Sequence, residues 1–111
     1  MKIPEDAIIP DAKLTRYLLV LRPRNDKSKF MAQAGFIVEN SPDLVAALRQ
    51  LTRLNNALEK RTDEYGIYYQ VKGSLQGTNG INLDVVTIWL QRKIDQQFQF
   101  ITLIPNKEAD S

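Results

Sequence analysis

Neither cysteine nor histidine occurs among the 111 residues, and the two absences remove whole classes of chemistry. Without cysteine there is no disulfide and no thiolate nucleophile; without histidine the commonest general base and transition-metal ligand is missing. No cofactor or metal is expected on this basis, magnesium held by carboxylates being the one metal chemistry left open. Long apolar runs are lacking too, since no stretch approaches the roughly 20 residues that cross a bilayer. The opening Met1-Lys2-Ile3-Pro4-Glu5-Asp6 has neither the apolar segment nor the cleavage site of a secretory signal. A cytoplasmic protein with no membrane partner is the expectation. A glycine-rich phosphate loop, a paired metal-ligand motif and a nucleophile elbow are also missing.

What is present is ordinary in amount and uneven in arrangement. Hydrophobic residues at 43% and charged residues at 25% suit a globular chain. The length fits a single domain, read as residues 1–105 with a flexible tail over 106–111. Fifteen Lys and Arg against 13 Asp and Glu leave a net charge of +2, too small to point to nucleic acid by itself. Locally the balance is steeper, because Lys13, Arg16, Arg22, Arg24, Lys27 and Lys29 face only Asp26. Such an excess suits phosphates or an acidic partner, and a plain solvated surface equally well.

Asp11 is placed to cap a short helix through Leu19, with Leu14, Tyr17, Leu18 and Val20 as its apolar stripe and Arg22-Pro23 as its stop. A second helix is expected from about Asp26 to Ala34, closed by Gly35 in a left-handed conformation with Phe36 folding back on Met31. Ser41-Pro42-Asp43 is the clearest helix start in the chain. The apolar spacing of Leu44, Val45, Leu48, Leu51, Leu54, Ala57 and Leu58 predicts a long amphipathic helix running to about Arg61. Beyond Gly66 the texture turns to strands, predicted at 67–75, 81–92 and 98–104. The fold class is therefore α+β, with N-terminal helices packed on one face of a C-terminal antiparallel sheet of at least three strands.

If Asn79-Gly80 is a two-residue hairpin loop, Val71 faces Ile88, Tyr69 faces Leu90, Lys72 faces Thr87 and Gln70 faces Trp89. A second turn at Asp95-Gln96 sets Leu90 opposite Ile101 and Ile88 opposite Leu103. One sheet face then collects Tyr69, Val71, Val86, Ile88, Leu90, Ile101 and Leu103 as core. The other carries Tyr68, Gln70, Lys72, Thr87, Trp89, Gln91, Phe100, Thr102 and Ile104, with Arg92 and Lys93 near one edge.

That mixed face is the candidate site. An exposed Trp89 beside Tyr68 could stack bases, and Lys72 and Arg92 could meet phosphate, with Gln70, Lys27 and Lys29 adding polar contacts. A histidine-free, metal-independent ribonuclease is chemically feasible, because Lys or Arg can stabilise the phosphorane charge while Thr87 and Thr102 orient the substrate. The plainer reading buries Trp89, Phe100 and Ile104 against the first helices or a second copy of the chain.

A family resemblance rests on the order of several short motifs. They are Lys13-Leu14 with Tyr17-Leu18-Leu19, Lys27-Ser28-Lys29-Phe30, Gly35-Phe36, Tyr65-Gly66, Val71 with Gly73 and Leu75, Gly77 with Asn79-Gly80, Thr87-Ile88-Trp89-Leu90, and Thr102 with Pro105. This order resembles the bacterial family catalogued as domain of unknown function 6883, over nearly the whole chain. Members resemble toxin modules of polymorphic toxin proteins and stand-alone proteins encoded beside a small β-barrel partner. Their layout is similar to the barnase, EndoU and RelE group of ribonuclease toxins. The resemblance implies a toxin-antitoxin component with RNA as target and a small cognate antitoxin-like protein as partner. Toxin-like members tend to read Arg-Thr-Val-Trp where this chain has Val86-Thr87-Ile88-Trp89, and Thr-Ala-Tyr-Pro where it has Thr102-Leu103-Ile104-Pro105. The lost Arg and Tyr favour a second reading, a non-catalytic interaction domain that uses the same face to hold a partner protein or form a homodimer.

Overall fold

The computed structural model describes residues 1–21, 23 and 27–107. Arg22, Arg24 and Asp26, used above for the first helix stop, the basic segment and the second helix start, lie outside the described residues, as does the expected tail from residue 108 onward. Helix α1 spans Asp11–Lys13 and continues as a π-helical turn over Leu14–Leu18. That wider turn, closed by the Leu19 amide on the Leu14 carbonyl at 3.0 Å, adds one residue per turn. Leu19 is thereby buried with Leu14 and Leu18, whereas Tyr17, expected inside, is 49% exposed.

Helix α2, Ser28–Ala32, ends as its sequence predicts. Gly35 takes φ +85°, its amide bonds to the Ala32 carbonyl, and the Phe36 amide returns to Met31 at 3.2 Å. Helix α3, Ser41–Leu54, starts where Ser41-Pro42-Asp43 placed it and buries Leu44, Ala47, Leu48, Leu51 and Thr52. It stops seven residues earlier than the apolar spacing predicted. Asn55 turns to an extended conformation and its side-chain amide bonds back to the Leu51 carbonyl at 2.9 Å, drawing off one of the helix's last acceptors.

The residues after that stop form strand β1, Leu58–Asp63, followed by β2, Gly66–Gln76, β3, Asn82–Arg92, and β4, Phe98–Pro105. They make one antiparallel sheet in the order β1-β2-β3-β4. The α+β arrangement of helices before sheet is as expected, with one strand more than the three predicted. On one edge, Ile8 pairs in parallel with β4, its amide donating to Phe98 and its carbonyl accepting from Phe100, both at 2.8 Å.

The pairing of β2 with β3 differs from the expected register by one residue: Val71 pairs with Thr87, Tyr69 with Trp89, Gln70 with Ile88 and Lys72 with Val86. The loop is the cause. Gln76 and Asn82 are the last pair, so the hairpin turns through five residues, Gly77 to Ile81, in place of Asn79-Gly80 alone. Exchanging an even loop for an odd one moves every β3 side chain to the opposite face. The loop is held in this form from outside, the Thr78 amide donating to the Ala34 carbonyl at 2.8 Å and the Asn79 amide group to Gln33 at 3.1 Å.

Thr87 and Trp89, expected on the exposed face, therefore lie in the core at 0% and 1% exposure. Val86, Ile88 and Leu90, expected in the core, point the other way. In β4 a bulge at Ile101 shifts the register between Ile88–Thr102 and Trp89–Phe100. Phe100 is thereby buried edge-on against Trp89, ring centres 5.3 Å apart, while Thr102 and Ile104 stay on the outer face as expected. Gly73 lets α3 settle on this core, because a Cβ there would stand 2.5 Å from Asn55 Nδ2 and 3.2 Å from Leu51 Cγ.

Candidate functional site

The sheet face turned away from α3 is organised as three cross-strand rows. At the end nearest the β1–β2 turn, Arg61, Tyr68, Leu90 and Gln99 stand side by side; next come Leu58, Gln70, Ile88 and Thr102, then Lys72, Val86 and Ile104. Successive rows are two residues apart along β2, about 7 Å.

The third row opens into a groove of about 650 Å³. Lys60, Lys72 and Lys107 line it, Gln70 and Asn106 add amide groups, and Val86, Ile104 and Pro105 form the floor. Among the described residues lining it there is no carboxylate. Lys60 reaches this groove through the bulge that shifts β1 between Glu59 and Arg61. Asn106 and Lys107, read from sequence as the start of a tail, are fixed beside it by the Asn106 amide on the Asp84 carbonyl at 2.9 Å. Three ammonium groups and two amides around an aliphatic floor can bind an extended anion bearing apolar or planar groups.

The first row holds a linked cluster. The Arg61 guanidinium lies 3.9 Å from the centre of the Tyr68 ring, and its Nη1 donates to Asp63 Oδ2 at 3.0 Å. Asp63 also accepts the Tyr65 amide at 2.8 Å, and the Tyr68 hydroxyl lies close enough to act on its titration. Burial pushes the Asp63 carboxyl upward, but the Tyr65 amide, Arg61 and Tyr68 together outweigh it and hold its pKa below the ordinary value. The Tyr68 phenol is raised, by burial first and then by the Asp63 charge, so it remains a donor.

Of the residues singled out from sequence, Lys72, Gln70, Tyr68 and Thr102 share this outer face. Lys27 joins them, its Nζ donating to Thr102 Oγ1 at 3.0 Å. Lys29 stands exposed on α2 and does not line the groove. Arg92 grips the β3–β4 turn, with two nitrogens on the Asp95 carboxylate and Nη1 on Gln99 Oε1 at 3.2 Å. Thr87 and Trp89 are the corrected pair. The Thr87 hydroxyl donates to the Val71 carbonyl at 2.9 Å and accepts the Trp89 indole N–H at 2.8 Å, a closed buried chain with no face toward a ligand. Lys60, Arg61 and Lys107 are the side chains that sequence reasoning missed. The Asn55-Asn56 pair, taken as a helix stop, is the signal that would have moved Lys60 and Arg61 into a strand.

A second hollow, about 400 Å³, lies beside the first row and is lined by Tyr65, Leu90 and Ile94 with Glu64, Arg92 and Lys93 at its rim. Among the described residues, no helix is long and apolar enough to cross a membrane.

The family model described as Domain of unknown function (DUF6883) matches residues 2–107. The chain belongs to this family. No curated protein sequence matches this DUF6883 chain. Among solved structures, its fold is similar to a chain of the "Contact-dependent growth inhibition toxin - immunity protein complex from Klebsiella pneumoniae 342". The TM-score is 0.69 at 22% identity, and the match covers 90% of this chain and 100% of the other.

Proposed function

We propose that this domain is a ribonuclease-like toxin module that binds RNA on the outer face of its sheet and is restrained by a small cognate antitoxin-like protein. The observation that carries the reading is the groove where Lys60, Lys72 and Lys107 converge with Gln70 and Asn106. Lysines gathered along one groove favour a phosphate backbone, and the amides can contact sugar or base edges. The likeness of fold to a chain from a toxin–immunity protein complex supports the toxin half of the proposal. In a metal-independent cleavage the RNA 2′-hydroxyl gives its proton to water and attacks the adjacent phosphorus, and the 5′-oxygen departs with a proton from water, leaving a 2′,3′-cyclic phosphate. Lys72, which lines the groove, would neutralise the charge that builds on the phosphoryl oxygens. Thr102, steadied by Lys27, would orient the sugar-phosphate backbone.

Induced expression with a growth readout and total-RNA analysis tests the toxin half, and affinity for single-stranded RNA across a salt series tests the groove. Wild type should arrest growth and fragment RNA. Lys72→Ala should weaken binding and reduce the slope of log affinity against log salt by about 0.7, one phosphate contact on a single strand. Unchanged growth and intact RNA, with no RNA binding at low salt, would sink the proposal.

A second reading, an interaction domain without catalysis, is favoured by one finding: Trp89 and Thr87 lie in the core, and Val86, Ile88 and Leu90 take their place on the outer face. With Leu58 and Ile104 exposed around them, these aliphatic side chains suit a protein partner, and that reading predicts RNA left intact.

A further inference from the structure

With Trp89 buried, the outer face has no exposed indole on which a base could lie, and the ring of Tyr68 has the Arg61 guanidinium lying over it at 3.9 Å. We infer that Arg61 is the base-stacking platform of this face, and that a splayed nucleobase of single-stranded RNA lies on the guanidinium plane, which itself lies on Tyr68. The inference rests on the RNA-binding reading above and names the residue that would give it a preference for bases over bare backbone.

The plane is fixed before any ligand arrives. Arg61 is held from below by the ring and at its edge by Asp63, and Asp63 is itself set by the Tyr65 amide. A guanidinium so held loses little further freedom on stacking, which a mobile lysine ammonium could not match. Its other side is open, because 62% of the Arg61 side chain is exposed to solvent. Delocalised guanidinium planes stack on bases as aromatic rings do, and single-stranded RNA is the form that can splay a base out to reach one. Pairing with Asp63 offsets the charge of Arg61, so the group suits the face of a base more than a phosphate. The placement fits as well. Lys60, one residue earlier in the bulge, lines the phosphate groove, and Tyr68 and Lys72 are four residues apart on β2, about 13 Å.

The test compares affinity for a short single-stranded oligoribonucleotide with affinity for the same backbone carrying abasic sites. Wild type should prefer the intact strand by about tenfold, the size expected of one stacked base. Arg61→Lys keeps the charge and removes the plane; it should abolish that preference while binding the abasic strand as tightly as wild type does. Tyr68→Leu, which takes away the support beneath the plane, should reduce the preference in the same direction, and it decides the matter if Arg61→Lys fails to fold. A preference that survives both substitutions, or is absent from wild type, overturns the inference and leaves RNA binding by the groove standing. Failure of wild type to bind either strand overturns both.

Discussion

Replacing Thr87 by valine keeps the shape and β-branching of the side chain and deletes one oxygen atom that two buried groups share. The Thr87 hydroxyl donates to the Val71 carbonyl at 2.9 Å and accepts the Trp89 indole N–H at 2.8 Å, and both Thr87 and Trp89 are shut away from water. In Thr87→Val the indole N–H is left without that acceptor, a penalty of about 1–3 kcal/mol for a buried donor, with a smaller return from the added methyl group. A net loss of about 2 kcal/mol is expected. For 111 residues, an unfolding entropy of about 2.1 cal/mol/K per residue makes 1 kcal/mol worth about 4 °C, so melting should fall by roughly 8 °C. Thr87→Ser retains the oxygen and should fall less. Thr87→Val combined with Trp89→Phe should cost less than the two single changes added together, because the second removes the stranded donor. Thermal unfolding followed by near-ultraviolet circular dichroism reads all five proteins, wild type, the three single variants and the double variant. RNA affinity, measured well below the transition, should be unchanged in Thr87→Val. A Thr87→Val protein that melts within about 1 °C of wild type and yet loses RNA binding would show that Thr87 serves the ligand face, and the core assignment would be wrong.

Gly73→Ala should also destabilise, by about 1–3 kcal/mol, since its Cβ would enter the space of Asn55 Nδ2 and Leu51 Cγ and push α3 from the sheet. Chemical denaturation measures it, and a midpoint equal to wild type would contradict that packing. Acid should weaken the fold in a defined direction. The carboxyl groups of Glu5, through its hydrogen bond from Arg53, and Asp95, through its hydrogen bond from Arg92, are lowered, as is Asp63 despite the upward push of burial. Groups depressed in the folded state contribute fully above their ordinary values, 4.5 for Glu and 3.8 for Asp, and that contribution is lost as pH falls through the folded values. Melting temperature followed from neutral pH to about 2 should hold above the carboxylate range and drop below it, less so in Asp95→Asn. A flat profile through that range would refute the ion-pair contribution.

The parts of the fold carried by local chemistry were legible in the sequence. Ser41-Pro42-Asp43 announced α3, Gly35-Phe36 announced the end of α2, and the β-branched windows located β2, β3 and β4 to within a residue or two. The parts decided at a distance were not. The face of every β3 side chain depends on whether its loop is even or odd, and the loop is set by bonds from Thr78 and Asn79 to the end of α2, which no local preference of Asn79-Gly80 reveals. Strand β1 was hidden for another reason: as an edge strand with almost no buried side chain it shows no alternation, and Leu58 fell by coincidence on the helical spacing of α3. The candidate site divides the same way. Tyr68, Gln70, Lys72 and Thr102 could be read because the faces of β2 and the end of β4 were placed correctly. Lys60 and Arg61 fall within the span predicted as the end of the long helix, and Lys107 within the expected tail.

The short parallel contact of Ile8 with Phe98 and Phe100 also bears on how the chain reaches its folded state. The partners are about ninety residues apart in sequence, so Ile8 has no sheet edge to join until the last strand exists. Bridging so long a loop adds little to the cost at equilibrium, because closure entropy grows only with the logarithm of length, but it slows the search for the right partners. A growing chain must therefore leave Ile8 without its strand partners until nearly all of the domain has been made, although Met1, Glu5 and Ala7 can already meet Ala57, Arg53 and Arg49. The domain is then expected to assemble late and in one cooperative event, with no early N-terminal fragment stable enough to persist alone.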